Sequence, residues 1–424
     1  MSLLFSYYGD DFTGSTDALE VLAAHGVRTV LFLGVPNEGE CKQFAGYQAV
    51  GVAGESRSRN PEWMARSLPE VFEWLRSLGA PIVQYKVCST FDSSPQSGNI
   101  GIAMQIGRAV FRAHCVPVVV AAPHLRRYVL FGNLFAAQGD SVYRIDRHPT
   151  MRRHPVTPMG ESDLRLHLAE QAPGGIELLD ILALSAGIAD EALEQLVARD
   201  PTAIIFDGLD ERSELETGRL LWTRCAQFPF VTGSSGLTHA LLRHWREAGL
   251  IPLNSSPTEA TPADRIIVVS GSCSPVTETQ IQYALRNGFE GIHAAALEPG
   301  ELLRQSIEVL ARGQSLVVYS ALGPHDLRGS LTGENLGRYL GTLLRQLIVR
   351  SGVRRVVIAG GDTASHATGQ LGIHALTFSA QMTPGAPLCR AHSTDPSMDG
   401  LELVLKGGQV GSSDFFEQVR KGRK

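Results

Sequence analysis

The side chains best suited to chemistry come early in the chain. In YYGDDFTGSTDALE, Tyr7 to Glu20, two adjacent carboxylates, Asp10 and Asp11, close an apolar run and open a turn of Gly, Thr and Ser. A carboxylate at a strand end can take a proton from an attacking hydroxyl or hold a metal, and small residues after it leave backbone amides open to an anion. One Asp here also reads as the cap of a helix that begins near Ser15. A cap explains one charge; the second adds repulsion and asks for another cause.

Two further early stretches, GESRSR (Gly54 to Arg59) and YKVCSTFDSSP (Tyr85 to Pro95), follow apolar runs. Arg57, Arg59 and Lys86 are suited to a carboxylate or phosphate, Arg by bidentate pairing. They stand beside Ser89, Thr90 and Asp92, and solvated surface charge is the alternative reading. For Arg152, Arg153 and His154 a basic surface loop is the preferred reading.

Three turns late in the chain carry a different chemistry: SGSCSPVT (Ser270 to Thr277), IAGGDTASHATG with Gly360 and Gly361, and LKGGQVGSSDFF around Gly408. Free N–H groups and the dipole at a helix start favour a phosphate, and glycine lets the backbone come close. A plain Ser/Thr cap is the alternative for the first turn, but three such turns together read as a phosphate cradle. Lys406, one of five lysines among 38 basic residues, leads the last.

The elements that must position these residues follow from hydrophobic pattern. Apolar runs of strand length alternate with segments of helical period, as in βαβ units with a mainly parallel sheet. Ligands of such sheets bind at the carboxyl ends of the strands, where the polar turns above stand. A length of 424 residues exceeds one ordinary core, so two α/β domains are predicted, residues 1–250 and 265–424, joined by a Pro-rich linker over 251–264 with a hinge near Ser255. The active site is expected in the cleft between them. Residues 126–158 break the alternation and read as a hairpin-like excursion.

With 43% hydrophobic and 19% charged residues the composition is globular, and a net charge of -5 argues against nucleic acid as a partner. Six cysteines without CxxC spacing indicate neither a zinc site nor a disulfide framework. The start of the chain lacks a secretory signal and no long apolar run suggests a membrane span, so a cytoplasmic protein with a small-molecule ligand is expected. There is no GxxxxGK[ST], no GxGxxG after a strand and no HExxH, and GSSGL at Gly233 fails the GxSxG pattern at Leu237.

Taken together, GDDFTGSTDALE, YKVCSTFDSSPQSGNIG, RRHPVTPMGESDLR, VVSGSCSPVTETQI, GGDTA and LVLKGGQVGSSDFF resemble the four-carbon acid sugar kinase family, in order and over nearly the whole chain. The resemblance implies a sugar-acid-binding N-terminal domain, a nucleotide-binding C-terminal domain, and phosphorylation of a terminal hydroxyl by ATP with Mg²⁺. Substrates of the family include threonate, erythronate, 3-oxo-tetronates and branched relatives such as 3-oxo-isoapionate. By motif, Asp10, Asp11, Arg57 and Lys86, with neighbouring Ser89 and Thr90, fall on the acid side. Ser270, Ser272, Gly360, Gly361, Asp362, Thr363 and Gly408 fall on the nucleotide side. Arg57 and Lys86 are then expected to hold the substrate carboxylate and Asp11 to orient or deprotonate its hydroxyl. Asp10 is the other candidate for base, or a metal ligand; the residues that hold the metal are left open. A non-catalytic sugar-acid sensor is the rival reading, and a dehydrogenase is disfavoured by the missing dinucleotide fingerprint. The acid used, its stereochemistry and the oligomeric state, a homodimer included, are not fixed by these residues.

Overall fold

The computed structural model describes residues 2–154, 156–253, 259–326 and 333–423. Residues 254–258, which contain the expected hinge at Ser255, lie outside them. The strands are β1 (Phe5–Gly9), β2 (Thr29–Phe32), β3 (Ala49–Ala53), β4 (Ile82–Lys86), β5 (Val116–Val119), β6 (Arg127–Leu130), β7 (Asn133–Gln138), β8 (Ser141–Arg144), β9 (Ile176–Leu179), β10 (Ala203–Phe206), β11 (Phe230–Gly233), β12 (Ile267–Ser270), β13 (Phe289–His293), β14 (Ser315–Tyr319), β15 (Arg355–Ala359), β16 (Ala375–Thr383), β17 (Ala386–His392) and β18 (Glu402–Lys406). The chain divides into two compact units, Met1–Arg28 with Ala45–Ser255, and Thr29–Phe44 with Ser256–Lys424.

In the first unit the strand order is β3-β1-β4-β11-β5-β10-β9, and every pair is parallel. β1, β3, β4, β5, β10 and β11 are buried along their whole length, which is why they read as unbroken apolar runs. Helices connect them, two of them started by a residue that chemistry favours: Asn60 caps Pro61–Ser77, with Pro61 in the first turn, and Asn99 caps Ile100–Phe111. Met64, Leu68, Phe72 and Leu75 of the first helix recur at helical spacing and join Ala103 and Met104 of the second in one core with Val83, Tyr85 and Phe230.

The second unit has the order β13-β14-β12-β15-β18-β17-β16-β2. Its first five strands are parallel, while β17 runs antiparallel to both β18 and β16. Two α/β units with mainly parallel sheets are therefore present, as the alternation predicts. The strand in VRTVLFLG departs from the predicted 1–250 domain: β2 pairs antiparallel with β16, Phe32 opposite Ala375 and Val30 opposite Thr377, and belongs to the second unit. Local alternation locates a strand, but its partner is chosen by contacts distant in sequence.

The excursion is a three-stranded antiparallel sheet, β6-β7-β8, followed by short turns. It is fastened by Asp207, buried just beyond β10, which accepts from the N–H groups of Phe131 (2.6 Å), Gly132 (2.9 Å) and Ile181 (3.0 Å). One carboxylate thus holds both the β6–β7 turn and the start of the helix Ile181–Ala186. Burial pushes its carboxyl up to about 6 against the pull of those amides. Asp207→Ala leaves three N–H groups without their acceptor and is expected to cost about 2–4 kcal/mol at pH 7; a urea unfolding midpoint close to that of the parent chain would count against this role.

Candidate active site

The carboxyl ends of the adjacent strands β3, β1 and β4 bring the early charged residues together. Backbone pairing continues one step past the strands: Asp10 N–H donates to the Lys86 carbonyl (3.0 Å) and Arg57 N–H to the Asp10 carbonyl (3.0 Å). Arg57, on the single 3-10 turn Ser56–Ser58, donates through Nε and Nη2 to the two oxygens of Asp10 (3.0 and 2.6 Å). Its Nη1 donates to Asp11 Oδ2 at 2.8 Å. Three of the five guanidinium N–H groups are spent, and two have no partner among the described residues.

Asp11 also caps the helix Phe12–Ala24, accepting from Gly14 N–H at 2.7 Å, and takes the Thr13 hydroxyl at 2.8 Å. The helix therefore begins at Phe12, not near Ser15, and the same Asp serves as cap and as ion-pair partner. Lys86, at the end of β4, is buried and lies 3.3 Å from Asp17 on this helix. A Cβ on Gly14 would stand 2.4 Å from Asp11 Oδ1 and 3.1 Å from Lys86 Nζ, so only glycine leaves room for these groups to meet. Asp17 went unnoticed in the sequence; it lies about one helical turn beyond Gly14.

The two carboxyls differ in character. Asp10, its side chain 6% exposed, is pushed up to about 6 by burial, which outweighs the opposing pull of Arg57. Burial also raises Asp11, but Arg57, Lys86, the Thr13 hydroxyl and the Gly14 amide together hold it below its usual range. Asp11 is 23% exposed and Arg57 26%, so both remain reachable from solvent.

Ser89 and Thr90 lie in the loop after β4. Thr90 is committed to that loop, its hydroxyl donating to Asp92, which also accepts from Thr157 at 3.2 Å. Ser89 is half-buried beside it. Arg59 is paired with Glu55 at 2.8 Å and lies over the ring of Trp63.

In the second unit the three glycine-rich turns leave the neighbouring strands β12, β15 and β18. Gly271 N–H donates to the Ala359 carbonyl (3.1 Å) and Gly360 N–H to the Lys406 carbonyl (2.8 Å), which draws the turns together. Gly360 has a φ of +116°, reserved to glycine, and precedes the helix Gly361–Thr368. A Cβ on Gly271 would lie 2.2 Å from Thr363 Oγ1, and one on Gly408 would lie 2.8 Å from Ser272 Oγ. Ser270 is fully buried and accepts from Ser272 N–H (3.4 Å), while Ser272 Oγ accepts from Ser274 N–H (3.2 Å), so these hydroxyls shape the first turn. The N–H groups of Gly361, Asp362, Thr363, Gly408 and Gln409 meet no acceptor among the described residues. Asp362 is exposed in the first turn of its helix. Such a set of unspent amides around missing side chains suits a phosphate.

Replacing Arg57 by Met leaves two adjacent carboxylates unpaired and is expected to cost about 3 kcal/mol at pH 7.5. Asp10 titrates near 6 even with Arg57 present, and without it more of the carboxylate is protonated as pH falls. The deficit should therefore narrow by pH 5; denaturant unfolding at the two pH values checks the sign, and a deficit that widens in acid would contradict the pairing.

Residues 5–241 match the family described as a sugar-binding N-terminal domain, and residues 267–416 match that described as a nucleotide-binding C-terminal domain. A 3-oxo-isoapionate kinase of Paraburkholderia graminis is 46% identical, over 99% of this chain and 95% of its own. A 3-oxo-tetronate kinase of Cupriavidus necator is 30% identical, over 98% and 96%. Among solved structures, one from Salmonella typhimurium LT2 superposes with a TM-score of 0.81 at 25% identity, covering 99% of both chains. With both domains matched in order and relatives aligned end to end, this chain belongs to the four-carbon acid sugar kinase family.

Proposed function

We propose that the protein is an ATP-dependent kinase that phosphorylates a hydroxyl of a small 3-oxo sugar acid, with 3-oxo-isoapionate as the first candidate and 3-oxo-tetronate as the second. The observation that carries the kinase reading is the cluster of unspent amides where the turns after β12, β15 and β18 meet, a cradle suited to nucleotide phosphates. The order of the acids follows the relatives, at 46% and 30% identity. A sensor that binds without turnover is the weaker reading, since both relatives are named as kinases.

In this reading the substrate carboxylate docks on the two remaining N–H groups of Arg57, with the Lys86 ammonium behind them. Asp10 takes the Nε–Nη2 edge of the guanidinium with both oxygens and keeps it aimed. Asp11, ionised and partly exposed, accepts the hydrogen bond of the substrate hydroxyl and orients its oxygen toward the γ-phosphate. Phosphoryl transfer asks mainly for alignment and charge stabilisation, so a carboxylate of low basicity suffices, its proton acceptance following bond formation. Asp10, with the more basic carboxyl, is the alternative acceptor. Ser270 and Ser272 shape the first phosphate turn. Gly360 shapes the second turn through its positive φ, Gly361, Asp362 and Thr363 present its amides, and Gly408 presents that of the third.

Magnesium accompanies ATP in this proposal. Among the described residues no group of three or more His, Cys, Asp or Glu side chains is placed to hold a metal; an ion that accompanies ATP is carried largely by phosphate oxygens and water. Its contribution is charge neutralisation on the transferred group. Among the described residues no helix is long and apolar enough to cross a membrane.

Coupled ADP release with 3-oxo-isoapionate, 3-oxo-tetronate, threonate and erythronate tests the proposal, with the highest kcat/KM expected for 3-oxo-isoapionate; no acid-dependent ADP release would reject the kinase reading. Asp11→Asn is expected to lower kcat by about 10²-fold or more with a smaller change in KM for ATP. Turnover near that of the parent enzyme would transfer the role to Asp10.

A further inference from the structure

Lys406 ends β18 with no exposed surface. Its Nζ donates to the Thr277 hydroxyl (3.1 Å) and to the carbonyls of Gly407 (2.8 Å) and Gly408 (3.5 Å), and the Thr277 hydroxyl donates to the same Gly408 carbonyl at 2.8 Å. All these partners are neutral. Next along the turn, Gln280 Nε2 holds the carbonyls of Val410 (3.0 Å), Gly411 (3.0 Å) and Ser412 (2.9 Å). The helix Pro275–Arg286 and Lys406 thus gather five carbonyl oxygens of one turn on its inner side.

A trans peptide points its N–H opposite to its C=O, and the chain has no cis bond among the described residues. Holding the Gly407 and Gly408 carbonyls inward therefore turns the N–H groups of Gly408 and Gln409 outward. Those two amides have no acceptor among the described residues, and the position of the missing Gly408 Cβ faces Ser272 Oγ of the first phosphate turn.

We propose that Lys406 is a positioning residue for the nucleotide: from behind the turn it aims two successive amides at a bound phosphate, and the phosphate supplies the negative charge that this buried ammonium lacks. The inference rests on the nucleotide reading above. In the free protein burial lowers the Lys406 pKa to about 8; a bound phosphate raises it again, so binding above pH 8 takes up a proton. The titratable groups of the elements around it include Glu278 and Tyr283 of the helix Pro275–Arg286, Asp362 and His366 of Gly361–Thr368, Cys389 and His392 of β17, and Asp414 and Glu417 beyond the turn. None of them bonds to Nζ. The exposed Cys273 thiol in the first phosphate turn needs its own control.

ADP with magnesium chloride is the probe, titrated calorimetrically into the full-length protein at pH 7 to 9.5, in buffers of differing ionisation enthalpy. Affinity is expected to be nearly flat near pH 7 and to weaken toward tenfold per pH unit above 8, with proton uptake over the same range. Cys273→Ser should keep this profile. Lys406→Met should lose the uptake and the slope and bind ADP about tenfold or more weakly at pH 7; if that variant does not fold, the parent and Cys273→Ser profiles decide. Binding with no uptake and no slope, or a slope that vanishes in Cys273→Ser, overturns the inference and leaves the nucleotide reading standing. No ADP binding by the parent protein overturns both.

Discussion

Two carboxylates on consecutive residues repel each other, and a guanidinium lying against both of them is what lets Asp10 and Asp11 occupy one strand end. The fork of Arg57 matches the two oxygens of Asp10 while its third nitrogen reaches Asp11. The pairing also fixes the loops: Arg57 follows β3, the Asp pair follows β1, and the backbone of Asp10 is bonded to the end of β4. A parallel sheet already places these strand ends side by side; the ion pairs convert proximity into a fixed arrangement of charges. Their environments then separate the two acids, one pushed up by burial and one held down by cations and amides, the usual way for paired carboxyls to take different tasks.

The second unit meets a similar demand with one buried ammonium, Lys406, and otherwise with neutral groups. Its turns are shaped by serine hydroxyls, by a glutamine that gathers carbonyls, and by glycines whose absent side chains leave the space. Amides fixed in this way are dipoles that need no reorganisation when an anion arrives. The contrast between a charged half-site and a dipolar one follows from their proposed ligands: a single carboxylate is well matched by a guanidinium, whereas a polyphosphate is better distributed over many weak donors.

Much of this was legible in the sequence, for identifiable reasons. Strands buried on both faces read as continuous apolar runs with polar turns at their carboxyl ends, so Asp10, Asp11, Arg57, Lys86 and the three glycine-rich turns stood out by position as candidates, and the structure brings the four charged residues together. The hairpin β16–β17 could not. Thr377, Phe378 and Ser379 are only half-buried, and register shifts after Phe378 and Ala380 break the period-2 signal. The Arg57 bridge was also hidden, because spacing along the chain does not say which loops touch; an Asp cap was expected, but the helix it starts begins at Phe12 rather than near Ser15, and the same carboxylate pairs with Arg57.

The placement of β2 has a practical consequence for dissecting the molecule. The polypeptide leaves the first unit after Arg28, lends the second a strand against β16, and returns by Ala45. A fragment starting at residue 256 would omit that strand and leave one side of β16 with open backbone groups, a template for joining other chains. Separate expression of the nucleotide half would therefore call for grafting TVLF back onto it, or for circularly permuting the gene, rather than a single cut in the proline-rich connector.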